Sequence, residues 1–80
     1  MLQDQNVTAG KYYVNNARDT ARKVLEVKNN TVIFITYHMD TGNCAGNPSY
    51  SMKQHFTQWA DHEATQTEMA NLQHRMMFSP

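Results

Sequence analysis

Eighty residues, one cysteine and seven Lys/Arg balanced by seven Asp/Glu describe a single domain with no internal disulfide and no net charge. A chain this short buries only about 60% of its unfolded surface, so a tight core or a second subunit has to supply stability. No segment has the pattern of a signal peptide or a membrane span, and a lone thiol suits a reducing compartment, so a cytoplasmic protein is expected. Residues 1–39 hold five basic and three acidic side chains and residues 40–80 hold two and four, a mild asymmetry far from that of strongly basic nucleic-acid binders.

In chain order, residues 1–9 read as a loose tail with Val7 as its anchor, residues 10–51 as a sheet, and residues 52–77 as helices. "KYYVNN" (11–16) alternates as a strand, with Tyr12 and Val14 on one face and Tyr13 on the other. Residues 17–20 suit a loop or bulge, and "ARKVLEVK" (21–28) a second strand. Asn29-Asn30 then separates two β-type runs, and Asn tolerates positive φ, so a two-residue hairpin turn is predicted. That turn would set Val27 opposite Val32, Leu25 opposite Phe34 and Lys23 opposite Thr36, with Glu26–Ile33, Val24–Ile35 and Arg22–Tyr37 on the other face. Both faces carry apolar groups, which asks for a curled sheet or one covered by helices.

Residues 44–51 form a weaker fourth strand, and Pro48 places it at an edge. Ser51 with Gln54 fits a capping box, followed by Met52, Phe56, Trp59 and Ala60 at helical spacing; Thr65 with Glu68 is a second box, followed by Met69, Leu72 and Met76. Two helices are expected, over about 52–62 and 66–77, with a break near Ala64. The fold class is α+β: a small, strongly curved antiparallel sheet, an SH3-like barrel if closed, with two C-terminal helices.

Asp40-Thr41-Gly42 is the tripeptide that bears the catalytic carboxylate of aspartic proteases, but that chemistry needs two carboxylates sharing a proton, and Asp and Gly suit a turn unaided. His38, Cys44, His55, His62 and His74 lack the close pairing of zinc ligands, so neither a metal nor another cofactor is expected. A nucleophile at Cys44 paired with His38 or His55 lacks a neighbouring cation cluster. An inter-subunit pocket using His38, Asp40 and Cys44 is the enzymatic alternative. Aromatic and basic residues carry more: Tyr12, Tyr13, Arg22, Tyr37 and Trp59 are the candidate partner-binding set. Lys11, Arg18, Arg22, Lys23 and Lys28 would serve a nucleic-acid-binding alternative, with cations tracking phosphates between aromatic platforms. The Met-rich end (Met69, Met76, Met77, Phe78) suits own-core packing or a subunit interface.

"GKYYV", "ARKVLEV", "TVIFITYHMDTG" and "SMKQHFTQWA", together covering residues 10–64, resemble small uncharacterised bacterial proteins carried on mobile DNA such as phages, integrative elements and integron cassettes. The strand-rich order ending in a short helix is also similar to SH3-like or Tudor-like barrels, a resemblance that implies binding of peptides or nucleic acids but no activity. The plasmid-borne dihydrofolate reductase is a barrel of similar size, yet its Val-Gln-Ile-Tyr segment has no counterpart here and no residue role is carried over. A non-enzymatic interaction protein that recognises a protein partner and self-associates, as a dimer, is the expectation.

Overall fold

Two turns organise the sheet. The computed structural model describes residues 7–44 and 46–78, and in it Asn29 takes a φ of 52° and lets Lys28 pair directly with Thr31. The predicted hairpin therefore forms between Thr20–Lys28 (β2) and Thr31–His38 (β3). Upstream, Tyr12–Asn15 (β1) reaches β2 through a turn in which Arg18 adopts a φ of 60°. Asn15 ties that turn together: its side-chain amide donates to Asp19 at 2.8 Å and accepts from the Thr20 amide at 3.3 Å.

Ser49–Met52 (β4) adds to β3 as an edge strand, as Pro48 predicts, but the segment is shorter than residues 44–51; Cys44 contributes only an isolated bridge to Tyr37. Lys53–Trp59 (α1) follows at once, then Ala60–Glu63 (β5), which pairs with β1, and then Gln66–Phe78 (α2). The sheet order is β4-β3-β2-β1-β5, with every neighbouring pair antiparallel.

Three expectations need correction. The helix expected over 52–62 stops at Trp59, because Ala60, His62 and Glu63 gain cross-strand partners on β1 that a helix would forfeit, with Asp61 at a shift in the register. Ala60 remains buried, so the apolar spacing that suggested a helix is satisfied from a strand instead. The Ser51–Gln54 box does not form: Met52 is the N-cap without a side-chain bond, and the Ser51 hydroxyl donates to the Met52 carbonyl. Finally, the register holds for Val27–Val32 and Glu26–Ile33, then shifts by one residue between Val24 and Glu26. Beyond the bulge Val24 faces Phe34, Lys23 faces Ile35, Arg22 faces Thr36 and Ala21 faces Tyr37. The extra residue keeps both Val27 and Val24 on the side of Val32 and Phe34, and leaves Leu25 exposed.

Each sheet face has its own core. On one, Tyr13, Val24, Val32 and Phe34 pack with Phe56 and Ala60 under α1, and Val7 seals the cluster from the N-terminal side. Phe56 meets Tyr13 edge-on at 5.7 Å, Phe34 at 5.4 Å and Trp59 at 5.6 Å between ring centroids. On the other face Val14 and Ala21 bury Leu72 of α2, with Tyr12, Tyr37, Met39, Ala64 and Met76 around them.

The connection between edges dictates curvature. The seven residues of α1 advance about 10 Å. In a flat five-stranded sheet the two edges alone would lie about 19 Å apart, four strand spacings of about 4.8 Å. Met52 moreover sits on the rung of Thr31, whereas Ala60 sits on that of Asn15, towards the opposite end of the strands. Only a sheet curled around Phe56 brings these points within reach. β4 and β5 do not pair with each other, so the sheet is not closed. Of the loose tail expected over 1–9, residues 1–6 lie outside the described residues, and Val7 is anchored as expected. No helix among the described residues is long and apolar enough to cross a membrane.

Phe56→Ala removes the ring shared by every aromatic contact of the first core, and should cost about 3–5 kcal/mol in urea unfolding. Tyr50→Ala, at a residue 79% exposed, should cost less than about 0.5 kcal/mol in the same experiment.

Candidate functional site

The two faces divide the aromatic residues singled out from the sequence. Tyr13 is fully buried, and its hydroxyl accepts from the Thr8 amide at 2.8 Å, so it offers no surface to a partner. Arg22 and Trp59 share that face. The Arg22 guanidinium carbon lies 4.0 Å from the Trp59 ring centroid and 4.5 Å from that of Phe34, a cation held between two π faces. Its Nε is buried without a hydrogen-bond partner, and burial pulls the guanidinium below its ordinary pKa. Arg22 therefore works as a lid on the aromatic core. Tyr12 and Tyr37 lie on the opposite face, with centroids 5.9 Å apart and the Lys23 ammonium 5.8 Å from the Tyr12 ring. Burial raises the Tyr37 phenol above its usual pKa, followed by the nearby Tyr12 and Cys44 groups.

The second face is only half covered. α2 shields the end occupied by Val14, Ala21 and Tyr37. Towards the β2–β3 turn, Ile33 pairs with Tyr50 and Thr31 with Met52, so Ile33, Ile35, Tyr50 and Met52 point to one side of the sheet. The isoleucines are partly exposed, Tyr50 is 79% and Met52 50% exposed. This patch runs out to β4, whose four residues carry no charge, while β5 at the other edge carries Asp61 and Glu63. Tyr50 carries no motif in the sequence and Met52 reads there as the start of a helix, whereas it ends β4; the absence of charge next to Pro48 is the signal that marks both.

The basic residues do not gather. Lys11 pairs with Glu63 at 3.2 Å and Lys28 with Glu26 at 3.5 Å, Lys23 sits against Tyr12, and Arg18 lies in the β1–β2 turn.

Asp40-Thr41-Gly42 is more than a turn between strands. Gly42 has a φ of 77°, and a Cβ there would come 2.7 Å from the Met76 amide nitrogen and 2.8 Å from Arg75 atoms. The loop thus touches the backbone of α2, an approach open only to glycine. His38 and Cys44 are exposed at the same corner. Among the described residues no group of three or more His, Cys, Asp and Glu is placed to hold a metal ion.

Asp40 instead helps line a cleft of about 710 Å³ between the β1–β2 turn, the β3–β4 loop and α2, with Arg18, Asp19, His62, Glu68 and Arg75 around it. His62 is its most constrained group: Nδ1 lies 2.8 Å from Asp61 Oδ2 and Nε2 lies 2.8 Å from Glu68 Oε1. The bonds from Asp61 and then Glu68 raise the imidazole pKa, outweighing burial. Glu68 sits low despite burial, because the Thr65 amide and His62 donate to it, and Asp61 sits low chiefly through His62. The same Glu68 oxygen accepts from the Thr65 amide at 2.9 Å while Thr65 Oγ1 accepts from the Glu68 amide, the capping box expected from the sequence. With both ring nitrogens engaged, His62 has no free lone pair to act as a base on a third group.

Comparison of the chain with protein-family models, with curated proteins and with solved structures finds no match.

Two substitutions check this geometry. Arg22→Met keeps a flexible stem against Trp59 and Phe34 while removing the unpartnered Nε, so stability should stay within about 1 kcal/mol of wild type in urea unfolding. Gly42→Ala combines positive φ with a clash against helix backbone and should cost about 2 kcal/mol or more, read as a fall in Tm.

Proposed function

We propose that this protein is a non-enzymatic interaction module that binds an extended segment of a partner protein along β4, and self-associates through the same edge. The observation carrying this proposal is the contrast between the edges: Ser49–Met52 is uncharged and continuous with an exposed apolar face, whereas Ala60–Glu63 bears two carboxylates. Proteins blunt sheet edges with charge, proline, bulges or short strands; both edges here are four residues long, so charge is what separates them, and the uncharged edge is the one that can accept an added strand. Main-chain hydrogen bonds would then supply affinity, and alternate side chains would settle against Tyr50, Met52, Ile33 and Ile35. A two-fold antiparallel pairing of β4 with its own copy sets no like charges opposite each other. The same pairing at β5 would bring Asp61 and Glu63 of two copies together.

Within this proposal the curled sheet is an opened SH3-like barrel. Support comes from the strand order β4-β3-β2-β1-β5, with a short helix linking the two edge strands. Of the aromatic set, Tyr12 and Tyr37 border the docking face, while Trp59 and Arg22 line the opposite side. The partner this calls for is a host or element-encoded protein in the cytoplasm, a compartment that suits the exposed Cys44 thiol. A nucleic-acid role draws less support, because Lys11 and Lys28 are paired and Arg22 is stacked on the core.

Tyr50→Lys places a charge on the docking face at a residue that contributes little to the core. It should convert a self-associating species into a monomer in sedimentation analysis with an unchanged Tm. A discrete protein captured from nuclease-treated bacterial lysate by wild type, and lost with Tyr50→Lys, is the second expected outcome. Capture abolished by nuclease, or a wild type that stays monomeric and binds identically to the variant, would overturn the proposal.

A further inference from the structure

His62 joins two elements that share little else. It projects from β5 at the rung of Val14, and its Nε2 meets Glu68 in the first turn of α2. The apolar seat of α2 is small: Leu72 is its only fully buried side chain among the described residues, and Met76 is partly buried. Met77 is 78% exposed. The attachment of α2 therefore leans on the Gly42 contact and on the imidazole.

Both partners of that imidazole are carboxylates, which only accept hydrogen bonds when ionised. A neutral imidazole carries one N–H and would turn its other lone pair towards a carboxylate oxygen 2.8 Å away. With both carboxylates ionised, two short contacts of this kind fit the doubly protonated ring. The surrounding charges are mixed: Asp61 from β5, Glu68 and Arg75 from α2, Arg18 and Asp19 from the β1–β2 turn, and Asp40 from the β3–β4 loop. The two carboxylates in direct contact dominate them.

We infer that His62 is a protonation-dependent clasp: the imidazolium fastens the first turn of α2 to β5, and loss of its proton loosens α2 from the sheet. On deprotonation Asp61, the more exposed carboxylate, can turn to water, while the link to Glu68 falls from a charge-assisted bond to a neutral one. The sign follows from the raised pKa of His62. Its contribution is complete below the ordinary imidazole value of about 6.5 and is lost as pH rises through the higher folded value. The depressed carboxylates act in the other direction, contributing above about pH 4 and losing their effect as pH falls through their folded values. Docking of α2 is thus tightest in weak acid, and loosening it uncovers Val14, Ala21 and Tyr37, on the same side of the sheet as Ile33 and Tyr50. The clasp stands whether or not a partner binds at β4.

Amide exchange of the full chain between pH 6 and 9, corrected for intrinsic rates, tests it alongside ¹⁵N spectra of the histidine side chains. Protection at Leu72 and Met76 should fall about three- to tenfold across that range, the ratio expected when a charge-assisted bond becomes neutral, while β2–β3 protection holds. His62→Gln should remove the pH dependence although the other three histidines and Cys44 remain in the chain. Should that variant fail to fold, Glu68→Gln keeps an acceptor for the Thr65 amide and should flatten the same profile. Unchanged α2 protection in wild type, an equal fall in either variant, or a His62 ring found neutral at pH 6 would overturn the clasp.

Discussion

Everything in this fold depends on the seven residues that carry the chain from one edge of the sheet to the other. β4 and β5 run in the same direction on opposite edges, and α1 has no length to spare between them. A sheet that must bend to meet a short helix gains a concave side, and Phe56 fills it. The ring touches Tyr13, Phe34 and Trp59, so the aromatic packing of this core is concentrated around a single side chain. In a chain too small for a large core, this concentration substitutes for size.

Curvature also creates the asymmetry on which the functional proposal rests. The concave side is consumed by α1, and Arg22 closes it with a guanidinium set between Trp59 and Phe34. The convex side receives only α2, which reaches the end near Val14 and leaves Ile33, Ile35 and Tyr50 outside its footprint. One edge bears carboxylates and the other none. The two margins of the sheet therefore differ, and the chemistry of each follows from four residues of sequence.

Much of this was legible beforehand, where the signal is local. Asn29-Asn30 announced a hairpin, Pro48 an edge, and Thr65 with Glu68 a helix start, because each depends on residues within a few positions. β5 was hidden for the opposite reason. Phe56, Trp59 and Ala60 recur at helical spacing, and the pull that extends residues 60–63 comes from β1, far off in sequence. The bulge at Leu25 was equally silent, since both registers satisfy the alternation near the turn. Its consequence was large: a one-residue shift decides which residues share a face, so Tyr37 pairs with Ala21 on the Tyr12 side and separates from Arg22. Gly42 looked like a turn residue because turns favour glycine, whereas the demand on it comes from the backbone of α2. His62 left a fainter trace. A histidine next to Asp61, just ahead of a capping-box glutamate, places two carboxylates near one ring.

The pairing of β1 with β5 also bears on how the chain reaches its native state. Tyr13 and Glu63 are rung partners about fifty positions apart, whereas β2 and β3 meet across two residues. Loop-closure entropy favours the local hairpin as the first structure and leaves the outer side of β1 to be matched last. Until Ala60–Glu63 arrives, the Tyr-Tyr-Val run of β1 presents open backbone on an apolar strand, the kind of surface through which incompletely folded chains aggregate. The charged residues of β5 thus do double service in time: they protect an edge once folding is complete, and their strand conceals a stickier one on the way there.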